Sequence, residues 1–399
     1  MRILILTNFY PKIGNITSGI FVVKRLVEYK KFDVSFDTIP VYMKDDFFLK
    51  LLRKILKLQS TESLEKFENI KFRKIDVKIN LLKKILEKTG FLNFSKEFSK
   101  QLEKQINLKS YDIIHAHGMS LNLPAGYIAK LISEKYDIPF FVTLHGGDVN
   151  YNMAKNKKNR TIYIETFENT SKVIFVSNAL LEKAKSLGYS GKNAIVIPNG
   201  YDPEIFKPMD KKQVRKELGI YKKEYKYVGF VGNLIPVKRA DKLPEIFENI
   251  SKNYDKVMFL IVGDGYLKEK IEKEMKEKSL EYIFTGRVSQ GSVAKWMNAM
   301  DIMVLPSRNE GWPCVVKEAQ ACGTCVVGSS NGGIPEAIGY KEYIVEEGEN
   351  FEERFANKVV EILKNGSDSK NLIENTREFT WNRIVENEIE IYIKIMEDN

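Results

Sequence analysis

The chain has 399 residues, 43% apolar and 29% charged, the profile of a globular protein of two or three domains. No apolar run reaches the ~18 residues of a membrane span; Met1 to Asn8 reads as a first strand rather than a signal peptide, so a cytoplasmic protein is expected. The net charge is +10, and residues 44–110 hold 17 Lys and Arg against 9 Asp and Glu, which points to an anionic partner such as a membrane surface, nucleic acid or polyphosphate lipid.

In chain order, β-rich runs are predicted at 3–7, 32–41, 112–115, 140–144, 172–176 and 194–197, each followed by a loop or a helical pattern. Within the basic region, 47–58 has helical periodicity. Lys50, Arg53, Lys54 and Lys57 share one face, with Phe48, Leu51, Leu52, Ile55 and Leu56 opposite. This pattern has two readings: a helix that buries its apolar side in its own domain, or one lying on anionic lipid with its cations toward the headgroups.

Turn residues cluster at Pro198-Asn-Gly-Tyr-Asp-Pro203 and Lys207-Pro208, and the alternation restarts at 227–231, 257–262, 282–284, 302–305 and 324–327. A helical pattern, 380–396, closes the chain. Repeated strand–helix alternation predicts an α/β protein of two Rossmann-like domains facing across a cleft. The expected divisions are 1–203, 204–375 and a C-terminal helix, 376–399, packing back on the first domain.

The segment Leu305-Pro-Ser-Arg-Asn-Glu-Gly-Trp-Pro-Cys-Val-Val-Lys-Glu-Ala-Gln-Ala-Cys-Gly323 is the most informative. A strand ends at Leu305, and a polar loop carries Glu310. Pro313 suits the first helical position and Gly323 the helix stop. The backbone N–H groups of Cys314 and Val315 then form a helix start suited to phosphate, with Glu310 before it and Glu318 behind.

Glu310 and Glu318 form an E-x7-E pair inside E-G-W-P-x4-E-A-x-A-C-G. With Asn8-Phe-Tyr-Pro, Ser18-Gly-Ile-Phe21, His115-Ala-His117, Thr143-Leu-His-Gly-Gly-Asp148, Ile197-Pro-Asn-Gly200, Val231-Gly-Asn-Leu-Ile-Pro-Val-Lys238, Gly263-Asp-Gly265, Thr285-Gly-Arg287 and Asn331-Gly-Gly-Ile-Pro-Glu336, it resembles the GT4 retaining glycosyltransferases, which have the GT-B fold. The look is nearest to bacterial enzymes of capsule, exopolysaccharide and teichuronic-type chains. The resemblance implies a nucleotide-sugar donor, with UDP the expected nucleotide, and a glycan acceptor on a lipid carrier. It implies no metal or other cofactor and no nucleic-acid partner, and a peripheral place on the inner face of the plasma membrane.

Residue by residue, the resemblance gives Glu310 the donor sugar and Glu318 the ribose hydroxyls. Lys238 takes the diphosphate, and His145 a place near the transferred sugar. Gly19, Gly311, Cys314 and Val315 fall to the donor site, with Arg287 near the base and His117 as a cleft residue. Asn233 stands where the family usually has arginine, and Arg239 is a candidate substitute.

Other classes fit less well. Gly263-Asp-Gly265 lacks the third glycine and acidic residue of a dinucleotide fingerprint. The basic region has no aromatic stacking platform for nucleic acid. Cys322-x-x-Cys325 has no second pair and no nearby histidine to complete a zinc site. A non-catalytic partner subunit of the same fold is the alternative that Asn233 raises.

Overall fold

The computed structural model describes residues 1–56, 60–75, 77–79 and 93–398. The chain forms two units: Met1–Pro198 with Trp381–Asn399, and Asn199–Thr380.

The first unit is built on a six-stranded parallel sheet. Its strands are β1 (Arg2–Thr7), β2 (Ser35–Pro40), β3 (Ile113–His117), β4 (Phe140–Leu144), β5 (Lys172–Phe175) and β6 (Ala194–Val196), in the order β6-β5-β4-β3-β1-β2. β1 and β4 are largely apolar runs, β3 carries His115 and His117 among apolar residues, and all three are buried along almost their whole length, as a parallel sheet covered on both faces requires. Helix α1 (Ile20–Tyr29) lies against the last helix of the chain, here α4 (Trp381–Glu397). That helix buries Trp381, Ile384, Val385, Glu388, Ile389 and Tyr392, one stripe at helical spacing.

The second unit repeats the plan. β7 (Lys226–Val231), β8 (Val257–Val262), β9 (Tyr282–Gly286), β10 (Ile302–Leu305), β11 (Cys325–Ser329) and β12 (Ile344–Val345) pair in the order β9-β8-β7-β10-β11-β12, all parallel. Its core sets Phe230, Phe259 and Val304 against Phe247, Phe355 and Val359 of the covering helices. In both sheets the order reverses beside the first strand, where crevices open at the strands' carboxyl ends.

The segment read as 47–58 forms helix α2 (Phe47–Ile55), and Lys57 falls outside the described residues. Among the described residues its apolar side is not packed away. Phe47, Leu51 and Ile55 are 83%, 46% and 67% exposed, while Leu49 is buried. Lys50 pairs with Glu62 and Arg53 with Asp45, and Lys54 is exposed. No described helix is long and apolar enough to cross a membrane.

Candidate active site

In the first unit the candidate residues gather at the carboxyl ends of β1, β3 and β4. His145 follows β4 directly. Its backbone N–H donates to Asp148 Oδ2 at 2.9 Å, and that of Met119 donates to Asp148 Oδ1 at 2.8 Å. One buried carboxylate thus ties the loop after β4 to the loop after β3; burial pushes its pKa up, and the backbone N–H groups oppose the shift. The His145 ring sits 4.3 Å from Phe21 and 5.1 Å from Phe9, centroid to centroid.

His117 Nδ1 lies 3.3 Å from His145 Nε2. His117, read as a cleft residue, is wholly buried beside the half-buried His145. Gly19 caps α1 at φ 68°, and a Cβ there would fall 2.4 Å from the Phe9 carbonyl carbon and the Tyr10 nitrogen. The Gly19 turn and the residues after β1 therefore approach as closely as backbones allow.

Behind the histidine pair runs a buried network that sequence reasoning missed. Arg25 Nη1 donates to Glu388 Oε1 at 3.0 Å, and Tyr29 OH donates to Glu388 Oε2 at 2.6 Å. The Tyr392 hydroxyl is 2.8 Å from that of Tyr29 and 2.5 Å from His115 Nδ1, and His115 Nε2 is 2.7 Å from Thr143 Oγ1. Paired with Arg25, the Glu388 carboxylate only accepts, which sets the direction of the chain. Tyr29 donates to Glu388, Tyr392 to Tyr29, His115 Nδ1–H to Tyr392, and Thr143 to His115 Nε2. The three imidazoles are held well below the ordinary histidine range. Burial is the first cause for each, with Arg25 next for His115 and His145 and His115 next for His117. The available signal was a carboxylate, Glu388, on the apolar stripe of the last helix.

In the second unit the candidates gather at the carboxyl ends of β7 and β10. Lys238 closes the loop after β7, and its Nζ donates to Glu310 Oε1 in the loop after β10. The Glu310 loop is held from β11: Gly333 N–H donates to the Glu310 carbonyl at 3.0 Å, and Ser329 Oγ to the Ser307 carbonyl at 2.6 Å. Gly332 adopts φ 56°, and a Cβ there would fall 2.2 Å from the Glu310 oxygen, so the Asn331-Gly-Gly turn needs its glycine.

Helix α3 (Cys314–Ala321) opens just behind Glu310, with Pro313 as its N-cap rather than its first helical residue. Cys314 and Val315 thus supply first-turn N–H groups, and Glu318 is half-buried one turn on. Burial pushes the Cys314 thiol up to about 12, with the Glu318 charge the next cause. Gly311 is half-buried between Glu310 and Trp312, and Trp312 stacks on Phe379.

Asn233 is exposed in the β7 loop, and Arg287 stands exposed just after β9. Arg239 does not take the missing arginine's place. Its Nη2 donates to both Glu347 oxygens, at 2.7 and 2.9 Å, and its guanidinium lies 3.9 Å from the Phe351 ring centre. Asn331 Nδ2 donates to the same carboxylate at 2.5 Å. Lys317, also missed by sequence reasoning, is buried on α3. Its Nζ lies 3.2 Å from Gln320 Oε1 and 4.2 Å from the Phe379 ring centre, and burial lowers its pKa to about 8. The three cysteines are free thiols.

Two parallel Rossmann-like sheets, with a lysine–glutamate pair beside a helix start in the second, define a glycosyltransferase of the GT-B fold. Known proteins agree. Residues 210–379 match the model of glycosyl transferases group 1, and residues 73–205 match that of glycosyltransferase family 4. The uncharacterized glycosyltransferase MJ1178 of Methanocaldococcus jannaschii is 29% identical over 96% of both chains. The putative teichuronic acid biosynthesis glycosyltransferase TuaC of Bacillus subtilis is 32% identical over 59% of this chain and 57% of its own. The crystal structure of Anabaena Alr3699/HepE in complex with UDP has the same fold, with a TM-score of 0.74 and 17% identity over 99% of this chain and all of that one. The chain belongs to the GT4 family of glycosyltransferases.

Proposed function

We propose that the protein moves a hexosyl group from a UDP-sugar to a lipid-linked glycan acceptor, with retention of configuration and without a metal, in surface polysaccharide synthesis. The observation that carries this reading is the contact between Lys238 and Glu310 beside the first turn of α3. A diphosphate entering the β7 loop competes with Glu310 for the Lys238 ammonium. Lys238 and the α3 N–H groups then stabilise the charge that builds on the leaving phosphate. Released from Lys238, Glu310 turns to the sugar hydroxyls, and Glu318 holds the ribose. The leaving phosphate oxygen takes the acceptor's proton on the face it departs from, which retains the anomer. His145, neutral between two phenylalanines, hydrogen-bonds the sugar.

UDP as the nucleotide is supported by the UDP complex of the Anabaena neighbour, and surface polysaccharide by the name of the Bacillus relative. The exposed row Phe47, Leu51 and Ile55 supports an acceptor met at a membrane surface. So does the exposed Lys54 of the same basic segment. The test is transfer from labelled UDP-sugars, with and without chelator, to a polyprenyl-linked sugar in anionic vesicles, the product's anomer being read by NMR. Full transfer in chelator with the donor's anomer retained is expected. Inversion, loss of activity in chelator, or hydrolysis without transfer would sink the reading.

A further inference from the structure

Beside the His145 loop, the first unit holds a cavity of ≈ 720 Å³ whose lining includes Tyr10, Lys12, Tyr42, Arg53 and Asn122. Tyr10 and Tyr42 form its floor, with ring centres 5.6 Å apart and the Tyr10 hydroxyl anchored on the Thr61 carbonyl at 2.9 Å. The Lys12 ammonium stands 5.3 Å from the Tyr10 ring centre and has no carboxylate partner among the described residues. Arg53 reaches the same space from α2 and donates to Asp45, a buried carboxylate that also lines the cavity. Among the described residues of the lining, Lys12 and Arg53 are the cations and Asp45 the carboxylate, in a partly desolvated space. Burial first and the Arg53 charge second lower the Lys12 pKa, as expected for a cation without a counterion.

A smaller cavity of ≈ 380 Å³ shares Asp45, Arg53 and Thr61 with the first and adds Lys50, Lys54 and Glu62, the last paired with Lys50. Inward, the wall is tied to the histidine. Asn152 Nδ2 holds the Met119 carbonyl at 3.1 Å, and Met119 and His145 share the Asp148 carboxylate.

We infer that this cavity is the subsite for a phosphoryl group carried by the acceptor, held between Lys12 and Arg53 above the Tyr10–Tyr42 floor. The inference rests on the transferase reading above and adds the acceptor's chemistry to it. A phosphate monoester carries nearly two charges and three accepting oxygens, enough to reach both cations while Arg53 keeps Asp45. The phosphate has two sources, a lipid headgroup or a soluble sugar phosphate.

Both sources are tested on the full chain saturated with UDP, so that the donor site is filled. Calorimetry compares N-acetylglucosamine 1-phosphate with N-acetylglucosamine. Flotation compares phosphatidylcholine vesicles containing a polyprenyl phosphate with vesicles containing the free polyprenol. A phosphorylated probe should bind, its neutral counterpart should not, and Lys12→Gln and Arg53→Gln should each weaken it about tenfold, the scale of one lost charge-assisted hydrogen bond. Retention on vesicles alone assigns the phosphate to a lipid, and binding of the sugar phosphate alone assigns it to a soluble acceptor; either supports the subsite. Equal binding of charged and neutral probes overturns it, and so does Lys12→Gln binding like the wild type. Lys12→Gln decides the matter if Arg53→Gln, which strips Asp45 of its partner, fails to fold. UDP affinity is read in the same samples. Phosphate binding without UDP breaks the donor reading and keeps the subsite; UDP binding without phosphate does the reverse.

Discussion

At the strand ends of the first unit, two buried histidines and the half-buried His145 are held well below the ordinary histidine range, the Asp148 carboxylate is taken up by backbone N–H groups, and Arg25 pairs with Glu388 inside the core. At the strand ends of the second, a lysine and a glutamate touch, and on the helix behind them a second lysine, Lys317, is buried beside an amide and a ring. The same fold thus surrounds two electrostatic regimes. A neutral, aromatic-lined site suits sugar hydroxyls, and a site with mobile charge suits a diphosphate that leaves with more charge than it brought.

The buried pair of the first unit gives the sharpest test of the contrast. Arg25→Met strands Glu388 in the core and should cost about 3–5 kcal/mol in urea denaturation. A loss under ~1 kcal/mol would show that the pairing does not govern this core. In the second unit, Glu310→Ala should leave circular dichroism unchanged and lower kcat by roughly 10²–10³-fold, about 2.7–4 kcal/mol, the scale of one lost electrostatic contact at a transition state. Normal turnover would remove Glu310 from the chemistry.

Lys317 carries its own pH signature. Below about pH 8 it is charged in both folded and unfolded chains, and the full cost of burying the ammonium is present. Between about 8 and 10.5 the folded chain loses that proton first, so stability rises with pH by about 3 kcal/mol. Lys317→Met should be more stable at pH 7 and lose this rise; parallel wild-type and mutant profiles would contradict the assignment. The smallest expected effect is none. In ¹H–¹³C spectra the ring signals of the three histidines should stay flat from about pH 5.5 to 8. A midpoint near the ordinary histidine value would break the neutral half of the comparison.

Much of this was legible in the sequence, because parallel strands buried on both faces are written as apolar runs and the loops after them carry the chemistry. The E-x7-E segment put a helix start between Glu310 and Glu318, one residue before the observed start at Cys314. What periodicity does not carry is the partner of a buried polar group. Glu388 reads as a polar break in a helical stripe until Arg25 and Tyr29, more than 350 residues earlier, meet it. Arg239 looked like a spare cation because Glu347, which holds it, lies 108 residues on. For α2 the helical spacing does not say which face is covered. Ion pairs with Asp45 and Glu62, both distant in pattern, take Arg53 and Lys50, and Leu51 and Ile55 are left outward.

The chain leaves the first unit at Pro198 and returns to it at Trp381, so the second unit is an insertion within the first. Its two ends meet, Tyr201 pairing with Thr380 as in a short parallel bridge. On the ribosome the first 198 residues emerge with α1 complete but Arg25 and Tyr29 lacking Glu388 and Tyr392, which arrive only after the whole insertion has been made. The inserted unit has all its strands before then. A chain ending before Trp381 would therefore leave the α1 face without its covering helix and Arg25 without the Glu388 carboxylate.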